Sequence, residues 1–305
     1  EDILNDIVSG LKDALSDEQI KLVSGSIKDA LSKYEINKKG IDNRTEKENN
    51  ELLEALLSAK KIEGCSDKTI HYYQSSIVKL LKGISKCIKE ICTNDIRCYL
   101  AEIQEKNNLS KVTIDNLRRI FSSFFSWLED EDYIAKSPVR RIHKVRTDTH
   151  VKEVLSDENI ETLRDSCNEP RDLAMIDLLL STGVRVGELV KMNRDDIDFQ
   201  ERQCKVFGKG NKEREVYFNA RTKIHLQRYL ESRTDDNPAL FVSLAEPHTR
   251  LTISGIEVRL RKLGKEAHLY KVHPHKFRRT LATMAIDRGM PIEQVQKLLG
   301  HVRID

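Results

Sequence analysis

Four short stretches in the second half of the chain place cations where an anion could be held. Arg185 stands in Ser181-Thr182-Gly183-Val184-Arg185-Val186-Gly187-Glu188-Leu189, just after an apolar helix. Gly183 permits a tight turn, and Arg185 then starts the next helix, where its guanidinium fork and the free amides favour an anion. Pairing with Glu188 is the alternative reading. Lys209 occupies the tip of a hairpin, where a lysine is ordinarily just exposed. In His273-Pro274-His275-Lys276-Phe277-Arg278-Arg279, His275 and Arg278 are three apart at a helix start and share a face. His301 follows Leu298-Leu299-Gly300, and Gly300 suits a helix C-cap. His273 and His275 raise the question of a metal, but no acid or Cys stands at ligand spacing around them, so no metal site is expected. The chain has no G-x-x-x-x-G-K-[ST], no G-x-G-x-x-G after a strand, no H-E-x-x-H and no G-x-S-x-G. Nucleotide hydrolysis and zinc proteolysis therefore lose their support.

These residues need elements to position them, and 305 residues at 33% charged and 39% hydrophobic allow two or three domains. The mean hydropathy of −0.52 and the lack of a long apolar run exclude an integral membrane protein. The acidic N-terminus lacks a signal peptide's layout. Six Cys without a C-x-x-C pair point to reduced thiols in the cytoplasm. Low Gly and Pro counts favour helices. Residues 1–60 hold 9 Lys+Arg against 13 Asp+Glu, a net of −4. The whole chain carries +3, so residues 61–305 carry +7, compatible with a polyanionic partner. Basic residues cluster in Arg140-Arg141-Ile142-His143-Lys144-Val145-Arg146; a solvated face is the other reading.

Periodicity divides the chain into segments. Ile3, Ile7, Leu11 and Leu15, then Ile20, Val23, Ile27 and Leu31, describe an N-terminal helical extension over 1–36, broken at Ser16-Asp17-Glu18. The polar stretch 37–50 reads as a linker. Residues 51–139 hold a bundle of four helices that closes near Ser137-Pro138, and 140–150 form a second linker. From Val151 the pattern is mixed. Strands are predicted at 202–207 and 214–218 around Gly208-Lys209-Gly210-Asn211, with helices at 171–180, 222–232, 254–266, 277–288 and 291–299. The fold class is mainly α with a small β-hairpin or sheet.

Taken together, the motifs resemble the tyrosine recombinases, the lambda-type integrase and Xer family. The G-x-R-x-x-E of Gly183–Glu188 resembles the first arginine box. Lys209, 24 residues after Arg185, stands in a Gly-Lys-Gly-Asn-Lys-Glu-Arg run similar to the family's catalytic hairpin. His275–Arg278 resembles H-x-x-R, and the L-L-G-H box puts His301 23 residues after Arg278. The resemblance implies a helical core-binding domain plus a mixed α/β catalytic domain over 151–305, forming a clamp on duplex DNA at specific recombination sites. It implies catalytic roles for Arg185, Lys209, His275, Arg278 and His301, a supporting role for Glu188, and no cofactor. DNA contacts are expected from Lys111, Arg118, Arg140, Arg141, Lys144 and Arg279, and a homo-oligomer, a tetrameric synapse, on the DNA.

Two departures stand out. Arg279 occupies a position where the family most often has His. The family's nucleophilic Tyr lies shortly after the second His, whereas the last tyrosine here, Tyr270, precedes H-x-x-R. The nucleophile is thus expected beyond Asp305, and the end at Arg303-Ile304-Asp305 reads as a cut through the domain. A type IB topoisomerase shares the catalytic grouping and is one alternative. A catalytically silent DNA-binding member of the family is the other.

Overall fold

In the computed structural model, residues 16–31, 42–147, 152–208 and 213–300 are described. The chain divides into two compact units, Glu1–Thr149 and His150–Asp305. Among the described residues the fold is mostly helical with one three-stranded sheet, and no helix is long and apolar enough to cross a membrane.

The first unit contains α1 (Asp17–Leu31), α2 (Asn43–Ile62), α3 (Asp67–Ile84), α4 (Thr93–Lys106) and α5 (Lys111–Asp130). The stripe Ile3/Ile7/Leu11/Leu15 lies outside the described residues. Short polar side chains start the helices by accepting an orphan amide: Asp42 from Thr45, Ser66 from Thr69 and Ser110 from Thr113. One stripe of each helix from α2 to α5 then faces a common core, in which Leu56, Ile77, Leu80, Phe121, Phe124 and Phe125 are fully enclosed.

The linker reading of 37–50 is corrected from Asn43 onward, because α2 begins there. Asp42 caps that start, and Asn49, polar in sequence, is buried. Its side chain accepts from the Ile88 amide at 2.9 Å and donates to the Lys86 carbonyl at 3.0 Å, closing the loop after α3. A polar residue that satisfies two buried backbone groups belongs inside. The second linker, 140–150, is likewise held down over its described part. Asp115 on α5 accepts from the Val145 amide at 3.0 Å, and Ile142 and Val145 pack on the helical core.

The second unit contains α6 (Asp157–Asp165), α7 (Pro170–Thr182), the single turn α8 (Val186–Leu189), β1 (Ile197–Asp198), β2 (Gln203–Phe207), β3 (Glu213–Tyr217), α9 (Ala220–Glu231), α10 (Ile253–Glu266), α11 (Pro274–Asp287) and α12 (Ile292–Leu299). The sheet order is β1-β2-β3, antiparallel throughout, with Ile197 opposite Cys204 and Val206 opposite Arg214. The short β1 escaped the sequence reading, since two residues carry no alternation. Most helix ends agree with periodicity to within about two residues. Besides α2, the exception is α11, which starts at Pro274 and not Phe277, because proline suits the first helical turn and His273 caps it.

Buried on nearly every side, α7 packs against α9 and α11. It stops at Gly183 in the left-handed region, φ 59°, where the cap amide returns to the Leu179 carbonyl. A Cβ at Gly183 would come within 2.8 Å of Leu281 and 2.9 Å of Leu299, so the close approach of α11 and α12 also requires glycine. This turn delivers Arg185.

Candidate anion-binding site

Arg185 precedes α8 and is fixed by one carboxylate. Its main-chain amide donates to Glu188 Oε2 at 2.8 Å and its Nη1 to Glu188 Oε1 at 2.9 Å. The pairing with Glu188 weighed from sequence is thus real, and the Arg185 side chain still keeps 39% of its surface open. Its Nη2 donates to the Gly300 carbonyl at 3.2 Å.

Arg278 reaches the same place from α11. Its Nη1 donates to the Gly183 carbonyl and its Nη2 to the Leu299 carbonyl, so one guanidinium bridges the carbonyl of the α7 cap and the last carbonyl of α12. Those carbonyls are orphaned by the helix ends and carry the negative end of the dipole, which a buried cation offsets. Arg185 and Arg278 therefore meet at the Leu299–Gly300 turn.

A third guanidinium was missed from sequence. Arg214, on β3, donates from Nη2 to Glu188 Oε2 at 2.7 Å. The Gly-Lys-Gly-Asn-Lys-Glu-Arg run already ended on this residue; only register and folding show that it points to Glu188. Glu188 is buried and serves three donors. Burial pushes its carboxyl up, yet the Arg185 amide and the Arg214 charge more than offset this and hold it below the usual carboxylate range. Three guanidinium groups around one carboxylate leave a surplus of positive charge. Burial, then the charges of Arg185 and Arg214, pull Arg278 down to about 10, still protonated at neutral pH.

His275 is exposed on the first turn of α11. Partial burial, then Arg278, Arg279, Arg185 and Lys152, lower it from 6.5, which leaves a neutral imidazole at pH 7. His273 instead spends Nδ1 as the cap acceptor of the Lys276 amide at 3.2 Å. Arg279 is half-buried and its Nε lacks a hydrogen-bond partner among the described residues. Lys209 and His301 lie outside the described residues; what is described is that β2 and β3 flank the first and that Gly300 precedes the second.

In the helical unit, Lys111 opens α5 with its side chain exposed, and Arg140, Arg141 and Lys144 are exposed on the stretch that follows. Arg118 is engaged: its Nε donates to Asp115 at 2.8 Å. Asp115, unremarked in sequence, also accepts from Arg119 Nε at 3.1 Å and from the Val145 amide, so it ties the basic stretch to α5. The Arg118 hydrogen bond, against some desolvation, holds its carboxyl below the usual range.

Fold and site together define a class: a mainly helical protein of two units, one with exposed cations on and after α5 and the other with Arg185 and Arg214 on a buried glutamate and Arg278 beside them. Residues 153–305 match the Phage integrase family, and residues 52–135 match the phage integrase N-terminal SAM-like domain. The chain belongs to this family, that of the tyrosine recombinases. It is similar to the tyrosine recombinase XerC of Oceanobacillus iheyensis, 32% identical over 256 residues that span 78% of this chain and 83% of that protein. It is also similar to tyrosine recombinase XerC of Staphylococcus aureus, 29% identical over 270 residues, 84% of this chain and 89% of that protein. Among solved structures, a lambda integrase dimer bound to a core site matches with a TM-score of 0.69 at 17% identity, covering 83% of this chain and 95% of that one. The Tn1549 transposon integrase in complex with a circular intermediate DNA matches with 0.68 at 22% identity, covering 83% and 92%. At these identities the likeness shows the fold.

Proposed function

We propose that this chain is a site-specific DNA recombinase that cuts and rejoins duplex DNA through a 3′-phosphotyrosyl link. The convergence of Arg185 and Arg278 on the Leu299–Gly300 turn carries the reading, because it gathers two guanidinium groups beside the residue that precedes His301. In the reaction a tyrosine oxygen bonds to phosphorus while the P–O5′ bond breaks. The tyrosine loses its proton, O5′ gains one, and the phosphodiester energy is kept in the protein link, so no ATP is consumed. Arg185 and Arg278 hold the non-bridging oxygens as charge builds on them. Neutral His275 takes the nucleophile's proton or braces the phosphate, His301 donates to a non-bridging oxygen, and Lys209 protonates O5′. Glu188 orients the arginines.

The helical unit, as core-binding domain, and the catalytic unit close on specific sites in duplex DNA. Lys111, Arg140, Arg141, Lys144 and Arg279 contact phosphates, and several copies assemble on the DNA, in the cytoplasm. Both curated relatives are recombinases, which favours strand exchange over the supercoil relaxation of a type IB topoisomerase. None of the eight tyrosines follows Arg278. The attacking oxygen must be held in line with the scissile bond, and the resemblance puts the nucleophile shortly after His301, so none of these eight tyrosines is assigned that role.

A nicked suicide duplex followed by denaturing electrophoresis tests this. Residues 1–305 should bind and leave no SDS-stable adduct, and the same chain joined after residue 305 to a relative's tyrosine-bearing segment should form one. An adduct from residues 1–305 alone would show that one of these eight tyrosines is the nucleophile. In the adduct-forming protein, Arg278→Ala should leave duplex binding largely intact and lower cleavage by about 10²–10³. Equal losses of both would make Arg278 structural only.

A further inference from the structure

We propose that Arg214 is a positioning residue of the reaction, acting through the hairpin that carries Lys209; the inference rests on the recombinase reading above. Three observations converge. Arg214 shares Glu188 Oε2 with the Arg185 amide, at 2.7 Å and 2.8 Å, so the hairpin strand and the first phosphate-binding arginine are fixed to the same oxygen. Arg214 also fills the space over Gly300. A Cβ built there would stand 2.9 Å from its Nε and 3.1 Å from its Cδ, and Gly300 sits at φ 64°. Arg214 therefore abuts the turn that receives Arg185 Nη2, and the Leu299 carbonyl just before it receives Arg278 Nη2. Lastly, Nη1 of Arg214 is buried and has no hydrogen-bond partner among the described residues. A buried donor without an acceptor is costly, about 1–3 kcal/mol, and such groups concentrate where function demands them.

The mechanical consequence follows from β3. Arg214 is the second residue of that strand, opposite Val206, and in sequence Lys209 stands five residues before it. Holding Arg214 between Glu188 and Gly300 sets where this end of the hairpin stands relative to Arg185 and Arg278. A lysine that must protonate a departing oxygen needs that placement, since a displacement of about 1 Å can cost about 10²-fold in rate. Arg214 touches none of the reacting atoms in this scheme.

The experiment compares leaving groups. The adduct-forming protein carrying Arg214→Ala or Arg214→Lys is assayed on a nicked duplex with an ordinary O5′ and on one with a 5′-sulfur, whose departure needs little protonation. Duplex binding and thermal unfolding are measured in parallel. The expected result is unchanged binding and a cleavage loss of about 10²-fold for Arg214→Ala on the oxygen substrate. Most of that loss should be recovered on the sulfur substrate, and Arg214→Lys, which keeps a cation beside Glu188, should be less impaired. Where the alanine variant unfolds, the lysine variant carries the same comparison. Equal losses on both substrates, or no loss, would overturn the proposal. Lys209→Ala is the control for the underlying reading: failure of sulfur to rescue that variant would sink the general-acid assignment itself.

Discussion

Arg278 combines two duties that its chemistry makes compatible. A guanidinium has five N–H donors in a plane, and two of its nitrogens spend one bond each on the carbonyls of Gly183 and Leu299 while hydrogens remain for an anion. Its neighbours then set the state of His275. Burial first, then Arg278, Arg279 and Arg185, depress the imidazole below 6.5. The unfolded chain binds that proton more readily than the fold, so stability from this group is present above about 6.5 and is lost as pH falls toward the depressed value. For the reaction, the rate of cleavage should be level around pH 7 and decline below pH 6.5. His275→Gln should lower the rate and abolish that decline, in a profile of adduct formation between pH 5 and 8. A limb that survives unchanged in the variant would transfer the proton-accepting role elsewhere.

The element that anchors the basic stretch 140–147 is α5, and Asp115 is its pivot. One buried carboxylate accepts from Arg118, Arg119 and the Val145 amide, which joins the helix to the 140–147 stretch. Removing it strands Arg118 Nε and the Val145 amide, both partly withdrawn from water. Asp115→Ala should therefore cost about 1–3 kcal/mol of stability. Because Arg141 and Lys144 lose their anchor, duplex affinity should fall as well, while Lys111→Ala should weaken binding without destabilising. Urea unfolding and a duplex titration on the same variants separate the two effects. Unaltered binding in Asp115→Ala would mean that the stretch is not held for DNA.

Taken whole, the chain carries +3, but the first 60 residues carry −4, so its attraction for a polyanion resides in residues 61–305. Each phosphate neutralised releases condensed counterions, and the logarithm of affinity should fall linearly and steeply with the logarithm of salt concentration. Fluorescence anisotropy with a cognate duplex across a salt series measures the slope, and replacing one phosphate-contacting lysine should reduce it by about one. A flat response would sink the proposed grip on two basic faces.

Local chemistry explains which features were legible without coordinates. Caps and apolar stripes act within one or two turns, so the helices of both units and the β2–β3 hairpin could be read directly. Arg185, Glu188, His275 and Arg278 stood out because their types and spacing form order-specific motifs. Asn49 and Asp115 did not, since a buried polar residue is indistinguishable in sequence from a solvated one until its backbone partners at residues 86, 88 and 145 arrive. Arg214 was one more cation in a basic run. Only tertiary structure could decide that it shares an oxygen with the Arg185 amide and lies over Gly300. That arrangement depends on α8, β3 and the end of α12 meeting around Arg214 and Arg185, and long-range closure leaves no periodic trace in the residues that accomplish it.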